Sequence, residues 1–298
     1  MKSYLRSTVL FLLMTLAVGA GSAGNDRLAR VDPGGDPWSR LDPTDLQLRS
    51  AAALIVDERG HRIYGKNTGA VKPIASITKL MTAMVVLDAG VGLDTPITVS
   101  RADRDQLRQT GSRLRLDQAT LTRRDMLLIA LMSSENRAAA ALGRTTFPAG
   151  TPMFVRTMNR KASELGMTGS RFAEPTGLDA ANVSTAEDLI TLLRAAAQYP
   201  LIRRATTLAE LEVHPYPNSG PLAYRNTNRL IKNEAWSIEL SKTGYINEAG
   251  RCLVMRARIA GRPLYIVLLD SFGKLTPVGD SNRLRKWIKA GLQTDRHG

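Results

Sequence analysis

The chain has 298 residues, 43% of them hydrophobic and 23% charged, with a formal net charge of +14. That composition is enough to bury a sizeable core and excludes a wholly disordered chain. Cys252 is the only cysteine and His61, His214 and His297 the only histidines, which excludes an internal disulfide and argues against a His/Cys zinc site.

The N-terminus reads as an address. Lys2 and Arg6 precede an apolar run over residues 8–20, and small residues follow over 19–24. Charge, apolar centre and small-residue cleavage site make the layout of a secretory signal over residues 1–23, with cleavage after Ala20 or Ala23. The run is short for a membrane span of about 20 residues. Removing Lys2 and Arg6 lowers the charge to +12 on an exported body, which disfavours nucleic acid as the anionic partner. Residues 24–45 carry Pro33, Gly34, Gly35, Pro37 and Pro43 among charges and predict an extended linker.

The body, 46–290, opens with an apolar run at 51–56. It ends at Asp57-Glu58-Arg59-Gly60 and returns over 61–64, a first hairpin. Residues 77–87 are apolar on nearly every side and predict a buried helix stopped by Gly90. Thr122-Arg123-Arg124-Asp125 resembles a capping box before a helix at 126–132. Helical character continues over 137–142, 152–165 and 186–197. Strand-like runs then occupy 238–245, 251–260 and 264–270, and a helix over 282–290 closes the body, leaving 291–298 as a tail. Strands at both ends and helices between them predict an α+β fold. The terminal strands share one antiparallel sheet, and a helical lobe spans about 90–200.

Three short motifs fall on this map. Ser76-Ile77-Thr78-Lys79 sits at the head of the buried helix. There a serine and a lysine three residues apart share a face, and a desolvated lysine can take the serine proton. Ser-x-x-Lys alone is weak, since about one is expected by chance in a chain this long. Ser271-Phe272-Gly273-Lys274 is such a decoy, without a helix to align its side chains. Ser134-Glu135-Asn136 forms a polar break between two apolar helices, with Tyr224-Arg225-Asn226 as a substitute in a loop-like stretch. Lys242-Thr243-Gly244 ends a strand, where glycine lets a ligand lie against the strand edge. Because no histidine is well placed, a nucleophilic hydrolase here would use another base, and lysine fills that need.

In this order and context the motifs match the signature of penicillin-binding proteins and serine β-lactamases. From about Ala51 to Ala290 the chain resembles the low-molecular-mass penicillin-binding proteins, the D-alanyl-D-alanine carboxypeptidase and endopeptidase family. Further carriers of the resemblance are Pro73-Ile74-Ala75, Glu174-Pro175-Thr176-Gly177-Leu178, Asn182-Val183-Ser184-Thr185-Ala186 with Asp188, Arg225-Asn226-Thr227-Asn228 and Ala249-Gly250-Arg251-Cys252-Leu253-Val254. They look most like the endopeptidase branch.

The resemblance implies a β-lactamase/transpeptidase-like fold, an antiparallel sheet flanked by helices with an all-α lobe. It implies a periplasmic enzyme acting on peptidoglycan peptide stems and inhibited by β-lactams, with no metal or organic cofactor. Ser76 would be the nucleophile, Lys79 the base, Ser134 the proton relay and Asn136 the holder of the peptide amide. Lys242 and Thr243 would hold a carboxylate beside Gly244, and the Ser76 and Tyr245 N–H groups would form the oxyanion hole.

A D-alanyl-D-alanine carboxypeptidase would use the same residues. A class A β-lactamase would add a Glu-x-x-Leu-Asn loop, and no such string lies between Ser134 and Lys242. A non-catalytic wall-binding protein would rest on Arg101, Arg104, Arg108, Arg113, Arg115, Arg123 and Arg124. The basic cluster Arg283, Arg285, Lys286 and Lys289 leaves weak association with membrane or wall open.

Overall fold

The structure is a computed structural model that describes residues 37–293. The expected signal 1–23, the linker up to residue 36 and residues 294–298 lie outside the described residues.

In chain order, β1 (Ala52–Asp57) and β2 (Arg62–Lys66) form the first hairpin. β3 (Lys72–Pro73) leads into a 3-10 turn at Ala75–Ile77 and then α1 (Thr78–Asp88). A ribbon of β4 (Pro96–Thr98) and β5 (Thr120–Thr122) precedes α2 (Arg123–Met132), α3 (Asn136–Thr145) and α4 (Gly150–Glu164). β6 (Val183–Ser184) pairs with β3, and α5 (Ala186–Ala196) and α6 (Pro200–Thr207) follow. A second ribbon joins β7 (Glu210–Val213) to β8 (Leu222–Arg225). The chain then runs through β9 (Ser237–Ile246), β10 (Gly250–Ile259), β11 (Arg262–Ser271) and α7 (Thr276–Gln293).

The main sheet is antiparallel in the order β2-β1-β11-β10-β9, so the first hairpin closes against the last three strands. Side chains alternate across a strand. Leu54, Val254 and Val267 therefore join the core shared with the helical lobe, while Ile55, Met255 and Ile266 pack with Leu284 and Ile288 of α7. Both faces are covered, which is why these strands read as nearly unbroken apolar runs. Every residue of α1 from Thr78 to Val86 is buried, as expected for a helix apolar all round.

Three local expectations change. The predicted linker does not stay extended to its end. Trp38 and Leu41 are buried with Leu46 and Leu48, and the Trp38 indole donates to Asp57 at 3.0 Å. Proline and glycine there signal irregular backbone rather than solvation. α7 begins at Thr276, six residues early, because Pro277 falls in its first turn, where a missing N–H costs nothing. Residues 222–225 form a strand, not a loop, through pairing with β7. No helix among the described residues is long and apolar enough to cross a membrane.

Candidate active site

The first side of the site is a strained turn. Ile74 donates its N–H to the Asn182 carbonyl at 3.0 Å, and Ala75 takes φ +47, a left-handed conformation unusual for alanine. Ser76 follows inside the 3-10 turn, and Lys79 is the second residue of α1. The Lys79 ammonium donates to Ser76 Oγ at 2.8 Å, to Asn136 Oδ1 at 2.8 Å and to the Thr176 carbonyl at 2.5 Å. Lys79 is 1% exposed, and burial pushes its pKa down to about 8, although the carboxylates of Glu174 and Glu135 pull it upward. A lysine so placed is substantially neutral near pH 8 and can accept the serine proton.

The polar break between α2 and α3 brings the second side. Ser134 adopts φ +61, and Glu135 caps α3 by accepting the Arg137 N–H at 3.0 Å. That geometry turns Ser134 toward Lys242, whose Nζ donates to Ser134 Oγ. Lys242 is 1% exposed, and burial, reinforced by the charge of Lys79, holds its pKa well below the usual lysine range. Tyr224-Arg225-Asn226 does not substitute for this break. The Asn226 amide instead ties the Thr206 and Leu208 carbonyls at 3.0 and 2.8 Å.

β9 supplies the third side. It is an edge strand, so alternate backbone groups on its outer side lack a strand partner. A Cβ on Gly244 would stand 2.8 Å from the Ile74 carbonyl oxygen and 3.2 Å from the Ser76 nitrogen. Glycine is required because the nucleophile turn presses on the strand, a reason additional to ligand access. Gly177, at φ +82, meets the same turn, where a Cβ would overlap the Ala75 carbonyl. Thr243 Oγ1 donates to Thr227 Oγ1 at 2.6 Å.

Ser76, Ser134, Asn136, Thr243, Gly244 and Tyr245 line one cleft of about 430 Å³, within the range of small-ligand sites. Lys79 and Lys242 reach it through their bonds to the two serines. All the expected residues thus converge. The decoy does not form a pair: Ser271 Oγ bonds Ser50 Oγ at 2.8 Å, although Lys274 lines the cleft. His61 pairs with Asp57 at 3.2 Å on the first hairpin and is not among the cleft-lining residues. No group of three or more His, Cys, Asp or Glu among the described residues could hold a metal.

The surroundings add residues to which the three motifs gave no role. Thr110 lines the cleft, accepts from Asn136 Nδ2 at 3.1 Å and donates to Asp105 at 2.8 Å. Asp105 also accepts the N–H groups of Leu107, Arg108 and Thr110. An acidic residue heading a turn that ends Thr-Gly was the available signal. Glu174 accepts N–H bonds from Thr176, Gly177 and Leu178 at 2.5–2.9 Å, and from the Asn182 amide at 2.7 Å. This holds the Thr176 carbonyl against Lys79. So engaged, the Glu174 carboxylate is poorly placed to activate water as a β-lactamase glutamate does. Among the arginines of the wall-binding reading, Arg101, Arg108 and Arg124 pair with Asp117, Glu248 and Asp94, and Arg115 stacks on Tyr216. In the C-terminal cluster, Arg283 pairs with Asp280 and Arg285 bonds the Ala235 carbonyl.

Comparison with known proteins shows what the chain is similar to. The pattern of the D-alanyl-D-alanine carboxypeptidase family matches residues 39–273. A D-alanyl-D-alanine endopeptidase from Pseudomonas aeruginosa is 49% identical over 254 residues, covering 85% of this chain and 81% of the relative. One from Escherichia coli is 48% identical, covering 82% and 79%. Among solved structures, the cefotaxime-bound penicillin-binding protein D2 from Listeria monocytogenes superposes with a TM-score of 0.72 at 27% identity, covering 82% of this chain and 98% of that one. The Streptomyces K15 DD-transpeptidase shares the fold, with a TM-score of 0.74 at 24% identity over 82% and 98% of the two chains.

Proposed function

The chain belongs to the D-alanyl-D-alanine carboxypeptidase family, and on that premise we propose that it is an exported, periplasmic serine D,D-endopeptidase that hydrolyses D-alanyl cross-links in peptidoglycan. The observation that carries the proposal is the 2.8 Å contact of a buried Lys79, its pKa lowered by desolvation, with Ser76 in a cleft edged by Lys242-Thr243-Gly244.

Ser76 Oγ attacks the D-alanyl carbonyl as Lys79 takes its proton. The oxyanion forms against the N–H groups of Ser76 and Tyr245. Asn136 holds the peptide amide. The C–N bond then breaks, and Ser134, its environment set by Lys242, passes a proton to the leaving amine. Lys242 and Thr243 hold the carboxylate on the leaving D-centre. The stem lies along the edge of β9, where unpaired backbone groups can accept it as an added strand. Water attacks the Ser76 ester and restores the enzyme. A β-lactam acylates Ser76 by the same route and leaves slowly. This chemistry needs no metal or organic cofactor. The leader-like residues 1–23 support export, and a catalytic domain at 46–290 overlaps most of the family match at 39–273.

A second reading, D-alanyl-D-alanine carboxypeptidase, is favoured by a more distant Bacillus subtilis relative of that name, 32% identical. Purified muropeptides decide between them. Cleavage of cross-linked dimers supports the endopeptidase, and release of D-alanine from monomers alone overturns it. Intact-mass analysis after penicillin tests the shared chemistry: one adduct mapping to Ser76 is expected, and a Ser76→Ala variant that still forms it removes the proposal.

A further inference from the structure

The roles above use Lys242 and Thr243 for one carboxylate, yet the cleft carries more positive charge than that. Arg229, Arg251 and Lys274 also line it, and no aspartate or glutamate does. None of the three has an ion-pair partner among the described residues. By contrast, the neighbouring Arg108 is neutralised by Glu248 at 2.7 Å and Arg256 by Glu58 and Glu239. Unpaired cations gathered in a cleft without carboxylates raise the local concentration of anions there.

Two of them are positioned beside the strand that holds the leaving group. Arg251 lies opposite Tyr245 in the β9–β10 ladder, and its guanidinium sits 4.0 Å from the Tyr245 ring centroid. Stacking on the ring orients the planar fork while leaving its edge donors available for a carboxylate. Arg229 opens the 3-10 turn two residues after Thr227, the hydroxyl bonded by Thr243. Arg251 thus touches Tyr245, which follows Lys242-Thr243-Gly244, and Arg229 shares the cleft lining from a segment anchored to Thr243 through Thr227.

A free D-alanine leaving group has one carboxylate. A peptide leaving group has one at its D-centre and a further one along the stem. We propose that Arg229 and Arg251 form a second anion subsite on the leaving-group side, which recognises that further carboxylate and favours cross-link cleavage over release of a single amino acid. This rests on the endopeptidase reading and names the residues that would give it its preference.

The test compares wild type with Arg251→Gln, Arg229→Gln and the charge-keeping Arg251→Lys. Three substrates are used: a cross-linked dimer, the same dimer with its further carboxylates amidated, and a penicillin as acylating probe. In wild type, amidation should lower kcat/KM for the dimer about ten-fold. In Arg251→Gln and Arg229→Gln, the loss on the carboxylate dimer should exceed any loss in penicillin acylation by about ten-fold, and amidation should then cost little. Arg251→Lys should recover part of the loss. Equal cleavage of both dimers by wild type overturns the subsite while leaving the endopeptidase reading intact. A wild type that binds penicillin and cleaves no dimer overturns both.

Discussion

Gly244 and Ser76 meet backbone to backbone: a Cβ on the glycine would stand 3.2 Å from the serine nitrogen and closer still, 2.8 Å, to the Ile74 carbonyl oxygen. The edge strand and the nucleophile turn therefore set each other's position. Gly244→Ala should push the turn away by several tenths of an ångström. Penicillin acylation is expected to fall at least ten-fold with a modest drop in Tm, since misplacing a nucleophile costs rate steeply. An alanine variant acylated at the wild-type rate would show that the turn yields freely.

As the proposed base, Lys79 should set the pH response. Its pKa is lowered to about 8 by burial, so the base is protonated, and idle, at lower pH. The acylation rate should rise as pH passes through about 8 and then level off. A stopped-flow profile that is flat from pH 6 to 9 would contradict this role. Stability follows the same sign. The unfolded chain binds this proton more tightly than the fold does, so stability from this group rises with pH between about 8 and the usual 10.5. The urea midpoint of wild type should therefore rise relative to that of Lys79→Met across that window.

Thr110 fixes the orientation of Asn136. Its hydroxyl gives its proton to Asp105 and is left to accept from Asn136 Nδ2, which turns Oδ1 toward Lys79. Thr110→Val keeps the shape and removes both bonds. Acylation should fall about ten-fold, with Thr110→Ser restoring most of it. A threonine needed only for packing would give the opposite ranking in kinetics, with valine the better substitute.

Arg144 holds Asp103, whose carboxylate is fully buried, with two bonds of 2.8 Å. Arg144→Ala leaves that charge without its partner and should cost about 2–3 kcal/mol in denaturant unfolding. Asp103 also accepts from the Ser100 N–H at 2.8 Å, which keeps its carboxylate in place when the arginine is removed. A loss under about 0.5 kcal/mol, the scale of an exposed pair, would mean that water reaches the site.

Apolar patterning was enough to read the α+β plan, because the sheet is buried on both faces and α1 is buried all round. The three motifs were legible because each needs a particular local context: a helix head, a helix break and a strand end. Thr110 and Asp105 were not, and Glu174 was legible as part of the Glu174–Leu178 resemblance but not in its role, because their partners are brought together by loops whose course leaves no periodic trace. The buried arm at Trp38 and Leu41 escaped for a related reason. Its apolar residues are too few and irregular to show a period, and it is their burial, with the Trp38–Asp57 and Trp287–Asp42 bonds, that reveals the packing.

Cys252 pairs with Gly244 in the β9–β10 ladder, is 2% exposed, and burial raises its thiol pKa to about 12. A thiol this protected reacts only when its surroundings open. The molecule thus carries a single natural clock beside the substrate strand. The rate at which a maleimide or disulfide reagent finds Cys252 under native conditions measures how often that strand lifts from its neighbour, and the same measurement after acylation reads whether a bound antibiotic stills it.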